Sequence, residues 1–240
     1  MKLAVFDLDH TLLSFDCEWS WVNYIAQHEG IDPKEAFAPL KPMYVDYYER
    51  HRLDADAFSD FQMHFLARFP RARLDELLAD FVREIIRPSI SESAKKLVDS
   101  YRQRGDITAI CSGTYSYVVD PIACLFGINA VLCGKPETDE KGEFTGRLVG
   151  LNSFGKNKVE FVRNFLQEKH LSAQTLCFYS DSLNDKPLFD YVESCGGECV
   201  AVNAEAALLT YAQTRGWKTL SLYEQQTGAG IASVREIFGI

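Results

Sequence analysis

The sequence predicts an α/β fold: a Rossmann-like parallel sheet with an α-helical cap inserted after the first strand. Three observations carry this expectation. Five short apolar runs are rich in β-branched, aromatic and Cys residues: Leu3 to Phe6, Ile107 to Cys111, Thr175 to Tyr179, Cys199 to Val202 and Thr219 to Leu222. They lack polar alternation, as strands covered on both faces do. Helical patterns separate the later runs, and strand-helix alternation implies a parallel sheet with right-handed crossovers. Residues from about Asp16 to Ile86, by contrast, contain no strand-like run.

The elements follow in order. After Leu3 to Phe6, the insertion reads as helices over Glu18 to His28, Lys34 to Arg50, Ala55 to Arg68 and Leu74 to Ile86, punctuated by Pro33 and Pro70. Pro88 and the Ser-rich turn behind it return the chain to the sheet. The expected domains are therefore a core of residues 1–15 and 88–240 and a helical cap of residues 16–87. A helix over Ser91 to Arg104 opens on Ser91-Glu92-Ser93 and stops at Gly105. Within Val131 to Gly150, Asp139-Glu140-Lys141-Gly142 sits between two extended runs and marks a β-hairpin. Asn157 to Lys169 carries Val159, Phe161, Val162, Phe165 and Leu166 at helical spacing, and Asn203 to Arg215 ends at Gly216.

The 240 residues suit one large domain or one domain with a sizeable insertion, and 47% hydrophobic content is enough for a buried core. A net charge of −9 repels polyanions and anionic lipid, so neither nucleic acid nor membrane is an expected partner. No apolar run reaches the roughly 18–20 residues that span a bilayer. Acids arrive too early for a signal peptide, which points to a cytoplasmic protein. The seven cysteines are odd in number and form no CxxC pair, so they read as buried reduced thiols. Cys195 and Cys199 lack the neighbouring ligands that a metal site would need. Nothing in the sequence specifies a protein partner.

Chemistry concentrates where the apolar runs end. Phe6-Asp7-Leu8-Asp9-His10-Thr11-Leu12 takes a strand straight into two carboxylates. The period of two places both at the strand's C-terminal edge, where open α/β sheets bind ligands. Thr175 to Asp185 repeats the pattern, with Asp181 at a strand end and Asn184-Asp185 behind it. Read alone, that segment is equally an N-cap and turn. Mg²⁺ is a hard cation that takes one or two carboxylates plus substrate phosphate and water, and Asp7, Asp9 and Asp181 could supply the protein oxygens. Ile107 to Thr114 ends on Ser112-Gly113, a hydroxyl and a glycine that allow close approach to phosphate, although a plain turn fits as well. Lys158 could neutralise phosphate charge; alone it reads as a surface lysine, with Lys156 as a competitor.

Together these segments resemble the haloacid dehalogenase-like hydrolase superfamily. Its motifs are DxDxT/S, a strand-ending Ser/Thr, a Lys and a D-x3-D acidic pair, and they occur here in order from Asp7 to Asp185. The insertion is similar to the cap of the phosphoserine phosphatase-like branch. Ser116 to Ala123, Phe154 to Val159 and Tyr179 to Asp185 resemble a bacterial histidinol-phosphate phosphatase-like group within it. Ser112-Gly113-Thr114-Tyr115 departs from that group's usual Thr-Ala-Thr-Asn and is closer to phosphoserine phosphatases.

The resemblance implies a Mg²⁺-dependent phosphohydrolase acting on a small-molecule phosphomonoester. Asp7 would be the nucleophile, forming an aspartyl-phosphate, and Asp9 the acid and base. Ser112, Gly113 and Lys158 would bind phosphate. Asp7, Asp9 (through its backbone carbonyl) and Asp181 would hold the metal, supported by Asn184 and Asp185. Asp16 and Glu18 would select an amine-bearing substrate such as histidinol phosphate. Tyr44-Val45-Asp46-Tyr47-Tyr48 would line the pocket or pack helices, and Arg50 or Arg52 could bind a substrate carboxylate. A phosphoserine phosphatase, a phosphotransferase and an inactive binding protein are the alternatives.

Overall fold

A computed structural model describes residues 1–42, 54–128 and 130–223. Six parallel strands form the main sheet, in the order β3-β2-β1-β6-β7-β8. They are β1 (Leu3–Phe6), β2 (Ile107–Ile110), β3 (Ala130–Val131), β6 (Leu176–Ser180), β7 (Glu198–Val202) and β8 (Lys218–Leu220). A separate antiparallel pair, β4 (Lys135–Thr138) and β5 (Phe144–Val149), forms the expected hairpin. Asp139 Oδ1 closes its turn by accepting from the backbone N–H groups of Lys141 and Glu143.

Four of the five apolar runs are strands covered on both sides of the sheet; the fifth, expected at Thr219 to Leu222, is the exposed edge strand β8. Leu3 and Val5 pack with Phe178 and Ala201 on one face, and Ala4 and Phe6 with Tyr179 and Val202 on the other. The short β3 was not among the expected strands; two residues are too few to give a pattern.

The helices are α1 (Cys17–His28), α2 (Pro33–Phe37), α3 (Ala55–Leu66), α4 (Arg71–Phe81), α5 (Glu92–Gln103), α6 (Ser116–Phe126), α7 (Lys156–Glu168), α8 (Lys186–Ser194) and α9 (Ala206–Arg215). Between β1 and β2 the described residues hold helices and no strand. Ser91 caps α5 as expected, accepting from the N–H of Ala94.

Several boundaries differ from expectation. Pro88 does not end the helical stretch at Ile86; a π turn over Val82–Ile86 precedes it, and helical turns continue to Ser89. The Lys34 to Arg50 helix is seen only as far as residue 42, after which the chain, including Tyr44 to Tyr48, Arg50 and Arg52, lies outside the described residues. Asn203 is not in α9: its φ of +46° places it in a turn ahead of the helix. Helices α6 and α8 had no explicit helical reading, and α6 contains Pro121. All seven cysteines are free, five of them buried, but Cys195 is half-buried and Cys124 exposed.

Candidate active site

Register puts three strand ends side by side. Phe6 of β1 pairs with Ile110 of β2 on one side and Tyr179 of β6 on the other. The next residues are Asp7, then Cys111-Ser112, then Ser180-Asp181, at the same edge. The chain leaves β1 toward β2 and returns later to β6, so the topology opens a crevice at β1.

Asp7 and Lys158 meet in this crevice. Asp7 is 7% exposed and Lys158 4%, and Lys158 Nζ donates to Asp7 Oδ1 at 2.9 Å and to Asp185 Oδ2 at 2.8 Å. Lys158 is therefore no surface lysine. It lies in the first turn of α7, whose apolar stripe packs Val162, Phe165 and Leu166 under the sheet. Asp185 Oδ2 accepts from Lys158 and from the Ser180 hydroxyl, each at 2.8 Å. Asn184 stands exposed.

The turn after β1 carries His10 at φ +55° and leads to Thr11, whose hydroxyl donates to Asp181 Oδ1 at 3.2 Å. Asp9 is held at both oxygens: Oδ1 accepts from the Cys17 N–H at 2.7 Å and Oδ2 from the Thr114 hydroxyl at 2.8 Å. Ser112 Oγ lies farther from Asp9 Oδ2, at 3.4 Å, and accepts from the Thr114 N–H at 3.1 Å. Ser153 anchors this segment from behind, donating to the Ser112 carbonyl at 2.6 Å. Gly113 is required for space: a Cβ there would fall 2.3 Å from the Phe154 ring. Phe154 in turn meets Phe58 of α3 edge-on at 5.7 Å, and Asn152 donates to Asp56 of α3 at 2.7 Å. Helix α3 of the insertion thus contacts the loop that carries Asn152 and Phe154.

Asp16 and Glu18 stand at the mouth of α1, and their surroundings separate them. Asp16 caps the helix, its Oδ1 accepting from the Trp19 N–H at 2.8 Å. Glu18 is 3% exposed, and its Oε1 has no partner.

The electrostatics are those of a site short of positive charge. Burial raises the Asp7 carboxyl to about 7 against the pull of Lys158, with Asp185 and Asp9 adding to the rise. Burial, then Asp7 and Asp185, push Asp181 well above the usual range. Burial works against the Lys158 ammonium, but Asp185 and Asp7 outweigh it and hold it protonated. Asp7 and Asp185 share the one lysine, Asp9 and Asp181 add two acids without a cation partner among the described residues, and a divalent cation fits that imbalance. Among the described residues no group of three His, Cys, Asp or Glu side chains forms a metal cage. Thr114, Thr11, Ser153 and Ser180 were not singled out as site residues from the sequence; Thr11 closes the first motif itself, and the others lie within five residues of a motif position, which was the available signal.

The haloacid dehalogenase-like hydrolase family matches residues 4–190. A histidinol-phosphatase of Neisseria meningitidis is 36% identical over 223 residues, spanning 92% of this chain and 98% of the relative. The solved structure of a Bordetella pertussis protein of unknown function superposes with a TM-score of 0.83 at 33% identity, covering 92% of this chain and 98% of the other. A substrate-bound phosphoserine phosphatase shares the fold, with a TM-score of 0.64 at 17% identity over 93% of this chain and 94% of its own. The chain belongs to the haloacid dehalogenase-like hydrolases, and within them it is a phosphatase. Among the described residues no helix is long and apolar enough to cross a membrane.

Proposed function

We propose that this phosphatase hydrolyses a small phosphomonoester in two steps through an aspartyl-phosphate on Asp7, with Mg²⁺ as cofactor. One observation carries the reading: the Asp7 carboxylate at the end of the central strand, paired with the buried Lys158 ammonium at 2.9 Å. A buried charge pair at a ligand-binding edge is a poor stability device but suits a nucleophile whose substrate brings more negative charge. In the first step an Asp7 oxygen bonds to phosphorus, the ester P–O bond breaks, and Asp9 gives its proton to the leaving oxygen. In the second step Asp9 takes a proton from water, whose oxygen bonds to phosphorus as the Asp7–P bond breaks and inorganic phosphate leaves. The Ser112 hydroxyl, the Gly113 N–H and the Lys158 ammonium would hold the phosphoryl oxygens through both steps.

The Asp7 and Asp181 carboxylates and the Asp9 carbonyl would hold Mg²⁺, which when bound offsets the charge of the phosphoryl group. The cap is the helical insertion of residues 16–87, covering the crevice. Within this reaction, an amine-bearing substrate, histidinol phosphate, fits best. Glu18 offers an unpartnered buried carboxylate oxygen to an ammonium. The buried polar side chains of α3, Ser59 and Gln62, are neutral and offer no cation to a substrate carboxylate. The likeness to the Neisseria meningitidis histidinol-phosphatase supports the same choice.

The nucleophile is tested with Asp7→Asn. The variant should fold, lose steady hydrolysis and form no acid-stable labelled phosphoenzyme, whereas wild type does. Excess chelator should silence the wild type and Mg²⁺ restore it. Steady hydrolysis by Asp7→Asn, or full activity in chelator, would refute the mechanism.

A further inference from the structure

We infer that Thr114 is the positioning residue for Asp9, fixing the carboxyl that moves the proton in both steps. The inference rests on the acid–base reading of Asp9 proposed above. Thr114 is 2% exposed and lies two residues past Ser112, in the turn between β2 and α6. Its hydroxyl donates to Asp9 Oδ2 at 2.8 Å, while the Cys17 N–H donates to Oδ1 at 2.7 Å. One donor comes from the sheet domain and the other from the first turn of α1, so the carboxyl plane is pinned from two elements. The neighbouring Ser112 hydroxyl also donates to Asp9 Oδ2, but at 3.4 Å, a longer and weaker bond than that of Thr114, and its oxygen accepts from the Thr114 N–H. Thr114 thus orders two groups at once, the Ser112 oxygen through its backbone and Asp9 through its side chain. The Cys17 thiol, 3.9 Å from Thr114 Oγ1, fills the space behind and offers only a weak bond.

A carboxyl that must first give a proton to a leaving oxygen and then take one from water needs a fixed place between them. A displacement of about 1 Å is enough to cost much of the rate. Removing the hydroxyl leaves Asp9 Oδ2 only the longer Ser112 bond and so loosens the carboxyl, while the nucleophile and Lys158 keep their own partners. The defect should therefore depend on how much the leaving group needs a proton. An alkoxide needs one; p-nitrophenolate does not.

The experiment compares wild type, Thr114→Val and Thr114→Ser on p-nitrophenyl phosphate and on one alkyl phosphomonoester. The alkyl substrate is glycerol phosphate, which has no amine, because the Thr114 hydroxyl also touches Glu18 and an amine-bearing ester would read that contact too. For Thr114→Val, kcat/KM on the alkyl ester should fall roughly ten- to a hundredfold, and on p-nitrophenyl phosphate at least ten times less. Because Asp9 also serves the second step, p-nitrophenolate should appear as a stoichiometric burst followed by a slow steady phase. Thr114→Ser, which restores the hydroxyl, should recover the alkyl activity. If the branched valine prevents folding, Thr114→Ala reads the same ratio. Equal loss on both substrates, or no loss on the alkyl ester, overturns the role of Thr114. Asp9→Asn separates the two levels: if it keeps alkyl turnover, the acid–base reading of Asp9 itself is wrong.

Discussion

At the scale of single residues, Glu18 asks most for a partner. A buried polar atom left unpaired is uncommon in a native fold, because its desolvation is not offset. Glu18 Oε1 is such an atom, and burial, with Asp16 and Asp9 adding, pushes its carboxyl well above the usual range. A substrate ammonium would supply the missing donor and charge. Asp16 is engaged instead in capping α1, a task that Asn performs equally well. Of the two acids that the resemblance implied for amine selectivity, Glu18 is the one with an unpartnered oxygen, and the proposed amine site is placed on it. Glu18→Gln should raise KM for histidinol phosphate roughly tenfold or more, the worth of one charged hydrogen bond. Asp16→Asn should change it little, and p-nitrophenyl phosphate, which has no amine, should be spared in both variants. Wild type should also prefer histidinol phosphate to phosphoserine in kcat/KM. Parallel losses of both substrates in Glu18→Gln would remove the amine site from the reading.

At the scale of elements, what matters is how the turn after β1 is held. Asn203, just past β7, donates from Nδ2 to the carbonyls of His10 at 3.0 Å and Thr11 at 3.3 Å. Its Oδ1 accepts from the Leu222 N–H at 2.8 Å, and the Tyr223 hydroxyl donates to the Leu12 carbonyl. A residue two strands away in the sheet thereby clamps the turn that presents Asp9. Asn203→Ala removes both donors and should destabilise the fold by about 1–3 kcal/mol, seen as a lower urea midpoint at unchanged slope. It should also lower kcat, since Asp9 loses its support; unchanged midpoint and rate would show the clamp to be idle. The strand ends were legible in the sequence because each is local: an apolar run, then an acid or a hydroxyl. Asn203 was not, because nothing nearby in sequence reveals a bond to residue 10, and it read instead as a helix start. For the same reason the sequence presented Lys158 as a surface lysine until the other motifs gave it a context. Its burial depends on Asp7, 151 positions away.

For the whole molecule, the excess of acids found in the composition divides into two populations with opposite effects. Exposed and half-exposed acids paired with cations, among them Asp106, Glu137, Asp190 and Glu198, are held below their usual range. Their contribution to stability is complete above the unfolded values of 3.8 and 4.5 and is lost only on acidification. The buried acids behave the other way. Burial lifts Asp16 from 3.8 to about 6, and Glu18 well above 4.5. As pH rises past the unfolded value, the unfolded chain releases these protons while the folded chain keeps them, so ionisation favours unfolding until the folded pKa is passed. Between pH 5 and about 7 the paired surface acids are already fully ionised, and the buried group sets the slope. In chelator, the Tm should therefore fall as pH is raised through this range. Glu18→Gln, which cannot ionise, should flatten the fall and raise the Tm at neutral pH, even as it weakens amine binding. A stabilised protein with an impaired site is the expected mark of a residue kept for its ligand. A wild-type Tm that rises from pH 5 to 7 would show that the buried acids do not govern stability there, and an equally steep fall in Glu18→Gln would remove Glu18 from the account and leave Asp7, Asp16 and Asp181.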